Sequence, residues 1–178
     1  ERGVATAQVS LGEMYASGRG VVEDENAAVE WYRRAAEQGD VEALAWLRET
    51  AERSVAKAQV ALGAMYAAGL GGVSQDDVEA VRWYRRAAEQ GDAEAQQILG
   101  VMYAAGRGVA QDAGEAVRWV RRAAEQGDAE AQLTLGGMHA AGLVVARDPG
   151  EAARWVRRAA EQGLVEAQVS LGGMYFAG

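Results

Sequence analysis

The chain has no cysteine, one proline (Pro149), one phenylalanine (Phe176) and one histidine (His139) among its 178 residues. Without cysteine there is no disulfide scaffold, no thiolate zinc site and no cysteine nucleophile. That absence does not fix the compartment, because a repeat protein folds without disulfides in either redox environment. With one histidine, a metal site would have to be built from carboxylates around it. Neither the HExxH nor the EF-hand spacing occurs, so no metal and no cofactor is expected. No apolar run approaches the ~20 residues that cross a bilayer, so no membrane insertion is expected. Basic residues are in deficit, 18 Lys and Arg against 26 Asp and Glu, for a net charge of −8. That balance speaks against nucleic acid, whose binding depends on neutralising phosphates. No signal peptide is found at the N-terminus, which begins at Glu1. The chain is read as a fragment of a longer protein.

What the chain has in abundance is alanine and glycine in a repeated order. The 23 glycines are spaced rather than clustered, unlike a flexible linker. The string RRAAEQG occurs four times, at 33–39, 85–91, 121–127 and 157–163, with Trp31, Trp83, Trp119 and Trp155 just before it. A second string, L-G-x-M-[YH], starts at Leu11, Leu62, Leu99, Leu135 and Leu171. From Leu62 onward the steps are 37, 36 and 36 residues; the first step is 51. Residues 42–59 align without a gap on 79–96, placing Trp46 on Trp83, so the long step is two repeats of 36 with 21 residues missing. Such a period marks a repeat architecture.

Each repeat holds two helices. In the first, Ala7, Leu11, Met14 and Tyr15 follow i, i+4, i+7, i+8, one face of a helix. The glycine after each Leu costs about 1 kcal/mol in a helix, so its recurrence predicts a close approach of two helices. The second helix starts at Asp76-x-x-Glu79, Asp112-x-x-Glu115 and Asp148-x-x-Glu151, which resemble capping boxes, with Pro149 at the first helical position. Asp24 lacks the Glu partner. The second helices end at Gly39, Gly91, Gly127 and Gly163, where a left-handed C-cap prefers glycine; Ser54 replaces it in the short unit, predicting a less defined end.

The segments LGEMYASGRGVVED (11–24), LGAMYAAGLGGVSQD (62–76), LGVMYAAGRGVAQD (99–112) and LGGMHAAGLVVARD (135–148) carry a resemblance. The pattern resembles the Sel1-like repeat (SLR) family, relatives of the tetratricopeptide repeat, over essentially the whole chain. The resemblance implies an all-α fold, a right-handed α/α superhelical solenoid of antiparallel helix pairs of about 36 residues. The expected organisation is a single repeat domain over 1–178. Its repeats fall at about 5–41, 58–94, 95–130 and 131–166, with a truncated second-helix-only unit at 42–57 and a partial repeat at 167–178. The family resemblance implies an adaptor or scaffold for protein complexes, with a protein or peptide as partner and no catalysis. A disulfide-linked bacterial subgroup is linked to β-lactam binding, which leaves a ligand-binding or hydrolytic protein as an alternative; this chain lacks that subgroup's cysteines. A structural spacer or self-assembling element is a second alternative.

Candidate site residues are weighed on this frame. A catalytic base wants an orienting acid and a nearby nucleophile. His139 stands where Tyr15, Tyr66, Tyr103 and Tyr175 stand, so it reads as packing. The glycine loops such as Gly106-Arg107-Gly108 lack the GK[ST] ending of a phosphate loop and read as turns. The Trp positions read as core. The Arg pairs at 33–34, 85–86, 121–122 and 157–158 would line into ladders about 10 Å apart. Glu37, Glu89, Glu125 and Glu161 lie four residues after each first Arg, which favours a solvated face. The stripe opposite the Leu-Met-Tyr core varies between repeats: Val9 and Glu13, Val60 and Ala64, Gln97 and Val101, Leu133 and Gly137, Val169 and Gly173. In tetratricopeptide-like solenoids this stripe lines the concave groove, so these ten residues are the expected partner-binding groove. An exposed apolar stripe marks a protein interface; the competing reading is that second helices cover part of it. Finally, Leu171, Met174 and Tyr175 on 166–177 lack a following second helix. End-to-end self-association through this helix is expected, with Phe176 adding apolar area.

Overall fold

The computed structural model describes residues 2–142 and 145–176, without the side chains of Arg2, Tyr175 and Phe176. Among the described residues there are ten helices and no strand. In chain order they are α1 (Arg2–Ser17), α2 (Glu25–Glu37), α3 (Val41–Glu52), α4 (Ala56–Ala68), α5 (Asp77–Glu89), α6 (Ala93–Ala105), α7 (Ala113–Glu125), α8 (Ala129–Ala141), α9 (Pro149–Glu161) and α10 (Val165–Phe176). The expectation for the C-terminal helix rests on the side chains of Tyr175 and Phe176, which lie outside the described residues, as does Val144 of the last loop.

The second helices α2, α5, α7 and α9 start where a carboxylate accepts from the freed main-chain N–H groups of the first turn. Asp24 accepts from Ala27 (2.9 Å), Asp76 from Val78 and Glu79, Asp112 from Glu115 (3.0 Å) and Asp148 from Glu151 (2.9 Å). The expected return bond of a capping box is replaced by another. The N–H of each capping Asp donates to the last turn of the preceding first helix: Asp24 to Tyr15 O, Asp76 to Tyr66 O, Asp112 to Tyr103 O and Asp148 to His139 O. The Glu side chains are thereby freed to pair with Arg three residues on, Glu79 with Arg82, Glu115 with Arg118 and Glu151 with Arg154. This is why Asp24 caps α2 without a Glu. The first helices have caps of their own, Asp92 on α6 and Asp128 on α8, each accepting from the N–H three residues on.

Contacts divide the chain into two compact units, Glu1–Gln90 and Gly91–Gly178. In the second, α6 packs on α7, α7 on α8, α8 on α9 and α9 on α10. Its core sets small residues against large ones: Val120, Ala123, Ala124, Ala131, Leu135 and Trp155 are buried together. The recurring glycine lets the helices close up. A Cβ on Gly100 would lie 2.5 Å from Val120 Cγ2 and 2.9 Å from Ala116 O, and one on Gly136 2.6 Å from Val156 Cγ2. In the first unit the glycine accommodates a ring instead, Gly12 under Tyr32 and Gly63 under Tyr84.

The first unit also holds α3. This helix enters like a first helix: Asp40 accepts from Ala43 N at 2.9 Å, and Ala43 and Leu47 are fully buried, as Ala95 and Leu99 are after Asp92. It leaves like a second helix, with Ser54 at the place of Gly91. Ser54 has φ 69°, the left-handed conformation its glycine counterparts adopt, so the end of α3 is as sharp as theirs. Packed between α2 and α4, α3 joins a core with Tyr32, Leu62 and Met65, and Trp46 stacks on Tyr32 at 4.0 Å and 19°.

Candidate interaction face

One side of each first helix turns toward a second helix and the other does not. On α6, Ala95, Leu99, Gly100 and Met102 are buried, whereas Glu94, Val101 and Ala105 are exposed and Gln97 is half-buried. The expected groove residues differ in their exposure. In the second unit Val101 is 43% and Val169 71% exposed; Gly137 and Gly173 are exposed and Gln97 and Leu133 half-buried. Leu133 also packs against the core formed by Val156 and Ala159. In the first unit Glu13 and Ala64 are exposed and Val9 is half-buried. Val60 is the exception: at 9% exposure it lies in the core and does not line an open face. The reason is α3. α4 is packed by α2, α3 and α5, and all its residues from Ala58 to Gly63 are buried.

The second helices carry the arginine pairs and, with α3, the tryptophans. Trp83, Trp119 and Trp155 are buried, while Trp31 and Trp46 are half-buried. The second Arg of each pair lies over the Trp three residues earlier: Arg34 over Trp31 at 4.9 Å, Arg86 over Trp83 at 4.7 Å, Arg122 over Trp119 at 4.9 Å and Arg158 over Trp155 at 4.7 Å. The first Arg of the first pair, Arg33, bridges Glu30 and Glu37. Its hydrogen bond holds the Glu30 carboxyl below the usual carboxylate range, and burial pushes the Tyr32 phenol up. These guanidiniums are spent largely on their own helices, covering indole with a flat cation.

His139 is 8% exposed, and neither ring nitrogen has a hydrogen-bond partner. No acid orients it as a general base would require. Among the described residues no group of three or more His, Cys, Asp or Glu is placed to hold a metal ion, and no helix is long and apolar enough to cross a membrane. In the first unit a cleft of about 450 Å³ is lined by Glu52, Ser54, Gln59, Arg86, Glu89 and Gln90. Within it Arg86 faces Glu52 at 3.4 Å and Gln90 donates to Gln59 at 2.7 Å, so its polar groups mainly serve one another.

Sequence reasoning overlooked one recurrent polar feature. The Gln of A-x-x-Q on each first helix meets the Gln of E-Q-G after the second helix: Gln8 with Gln38, Gln59 with Gln90, Gln96 with Gln126 and Gln132 with Gln162, at 2.6 to 2.9 Å. The spacing of about 30 residues between two invariant glutamines was its signal.

This is an all-α repeat solenoid. The Sel1 repeat model matches residues 5–40, 56–92, 93–128 and 129–164, and the chain belongs to the Sel1 repeat family, whose members are generally non-catalytic protein-interaction scaffolds. Among solved structures it is similar to a protective antigen of uropathogenic Escherichia coli strains displaying an SLR fold, at 36% identity and TM-score 0.74 over 98% of this chain. The chain spans 42% of that antigen's length. It is also similar to a Sel1 repeat protein from Oxalobacter formigenes, with 35% identity and TM-score 0.71 over 96% of this chain and 76% of that one. Helicobacter pylori cysteine rich protein B shares the fold at 20% identity and TM-score 0.55, over 84% of this chain and 96% of its own. No curated protein matches the chain.

Proposed function

We propose that this chain is a non-enzymatic scaffold that holds a partner peptide or domain against the outer stripe of its first helices. The observation that carries the reading is the contrast between two sides of the same helices. On α6 the recurring Leu99 is fully buried, whereas Val101, whose place varies from repeat to repeat, is 43% exposed. An apolar side chain left in water forgoes roughly 1.5–3 kcal/mol of burial, which a partner recovers on docking.

The test places a photo-crosslinking amino acid at Val101 on the stripe, or at Arg154 on the exposed side of a second helix, in the intact protein. The adducts formed in its native cells are then mapped. A defined protein adduct from position 101 and none from 154 is expected. Adducts only from 154, or none from either, would overturn the reading.

A further inference from the structure

We infer that the occupant of the first-helix face is an extended segment carrying Lys or Arg beside small apolar residues, and that it seats on the second unit; this rests on the function proposed above. Charge is the first argument. The helices α6, α8 and α10 carry Glu94, Glu130 and Glu166 at matching places, all exposed, and no Lys or Arg. Among the described residues none of the three is ion-paired, and every arginine of this unit sits on a second helix or in a loop. A surface of one sign draws in and orients a partner of the other.

The apolar surface is the second argument. Val101 and Val169 stand exposed beside these carboxylates. Next to them the helices carry glycine that no internal contact explains: a Cβ on Gly137 or Gly173 would meet nothing within 4 Å, whereas one on Gly136 would strike α9. Mid-helix glycine is unfavourable, and here it leaves room for a partner's main chain to come close.

The first unit supplies the contrast. On α4 the place of Glu94 is taken by Lys57, and Val60 and the next residue, Ala61, are 9% and 4% exposed. That helix has a cation at this place and buries the counterpart of Gln97, whereas α6, α8 and α10 share an exposed carboxylate there.

The probe is a fluorescein-labelled peptide of repeating Lys-Val-Ala, compared with matched peptides of repeating Glu-Val-Ala and Ser-Val-Ala. Binding to the whole chain is read by fluorescence anisotropy at low and high salt. The basic peptide should bind at least about tenfold tighter than either of the others and weaken with salt. Glu130→Lys should weaken it about tenfold, whereas Glu161→Lys, an equal charge change on α9, should not. Circular dichroism confirms that both variants fold. Equal binding of the three peptides, no binding, or equal effects of the two substitutions would overturn the inference. If position 101 still crosslinks to a neutral or acidic partner, the face remains the interaction surface and only its preference for basic segments falls.

Discussion

Gln90 donates its side-chain amide to Oε1 of Gln59 at 2.7 Å, and Gln59 donates in turn to the main-chain carbonyl of Ala51 at 3.0 Å. The same relay runs from Gln162 through Gln132 to Ala124, at 2.9 and 3.1 Å. Ala51 and Ala124 lie in the last turns of their helices, and each carbonyl also accepts from a main-chain N–H of the following turn, Ser54 and Gly127, at 3.1 Å. They are buried, so water cannot serve them. A neutral amide, donor and acceptor at once, satisfies both neighbours where Glu or Leu could not.

Gln59→Leu should therefore destabilise the protein by about 0.5–1.5 kcal/mol, because it removes the buried bond to Ala51 O and one of the two acceptors of Gln90. Gln90→Ala should cost less, since Gln90 is exposed and Ala51 keeps its bond. Urea unfolding monitored by circular dichroism measures both. Equal losses would show that the relay does not act as described.

Much of this fold is legible in the chain because each repeat repeats its punctuation. Asp76, Asp112 and Asp148 cap helices, Gly100 and Gly136 close helices onto each other, and the Trp-bearing helices follow a fixed period. The relay was visible only as recurring letters, since nothing local says that Gln132 and Gln162 meet. The burial of Val60 was not legible either. Its own helix gives it the same place as Val9 and Gln97, which are half-buried, so nothing in the local pattern marks it as core. Arg86 and Glu89 looked alike as solvated charges, yet Arg86 lies over an indole three residues away.

Ser54 holds φ 69° with no cap glycine. A left-handed conformation costs an L-residue about 1–2 kcal/mol, partly offset by the extra freedom glycine has when unfolded. Ser54→Gly should stabilise the first unit by about 0.5–1 kcal/mol, raising the urea midpoint with an unchanged slope. A loss of stability would mean that the serine side chain contributes more than its conformation costs.

Glu30 accepts a hydrogen bond from Arg33 at 2.9 Å, which lowers its pKa in the folded chain. A group depressed on folding stabilises above its unfolded pKa, and that contribution disappears as pH falls through the folded value. Glu30→Gln should be less stable than the parent at neutral pH, by a modest amount because the pair is partly solvated. The difference should shrink as pH drops below the ordinary carboxylate range, measured by thermal unfolding across a pH series. A difference independent of pH would assign the effect to packing rather than charge.

Gly136 and Gly137 are neighbours on α8 with opposite surroundings. A Cβ on Gly136 would lie 2.6 Å from Val156 Cγ2 and 3.1 Å from Ala152 O, whereas one on Gly137 would meet nothing within 4 Å. Gly136→Ala should push α8 off α9 and cost about 1–3 kcal/mol, the usual penalty for overfilling a packed contact. Gly137→Ala keeps every contact and gains helix propensity, so it should stabilise by up to about 1 kcal/mol. If a partner's main chain lies over Gly137, the same substitution should weaken its binding while making the free protein more stable. Denaturant unfolding of the two variants, beside anisotropy with the basic peptide, separates the two effects. Parallel changes in stability for the two variants would contradict the packing, and unchanged peptide binding by Gly137→Ala would place the peptide's backbone elsewhere on the stripe.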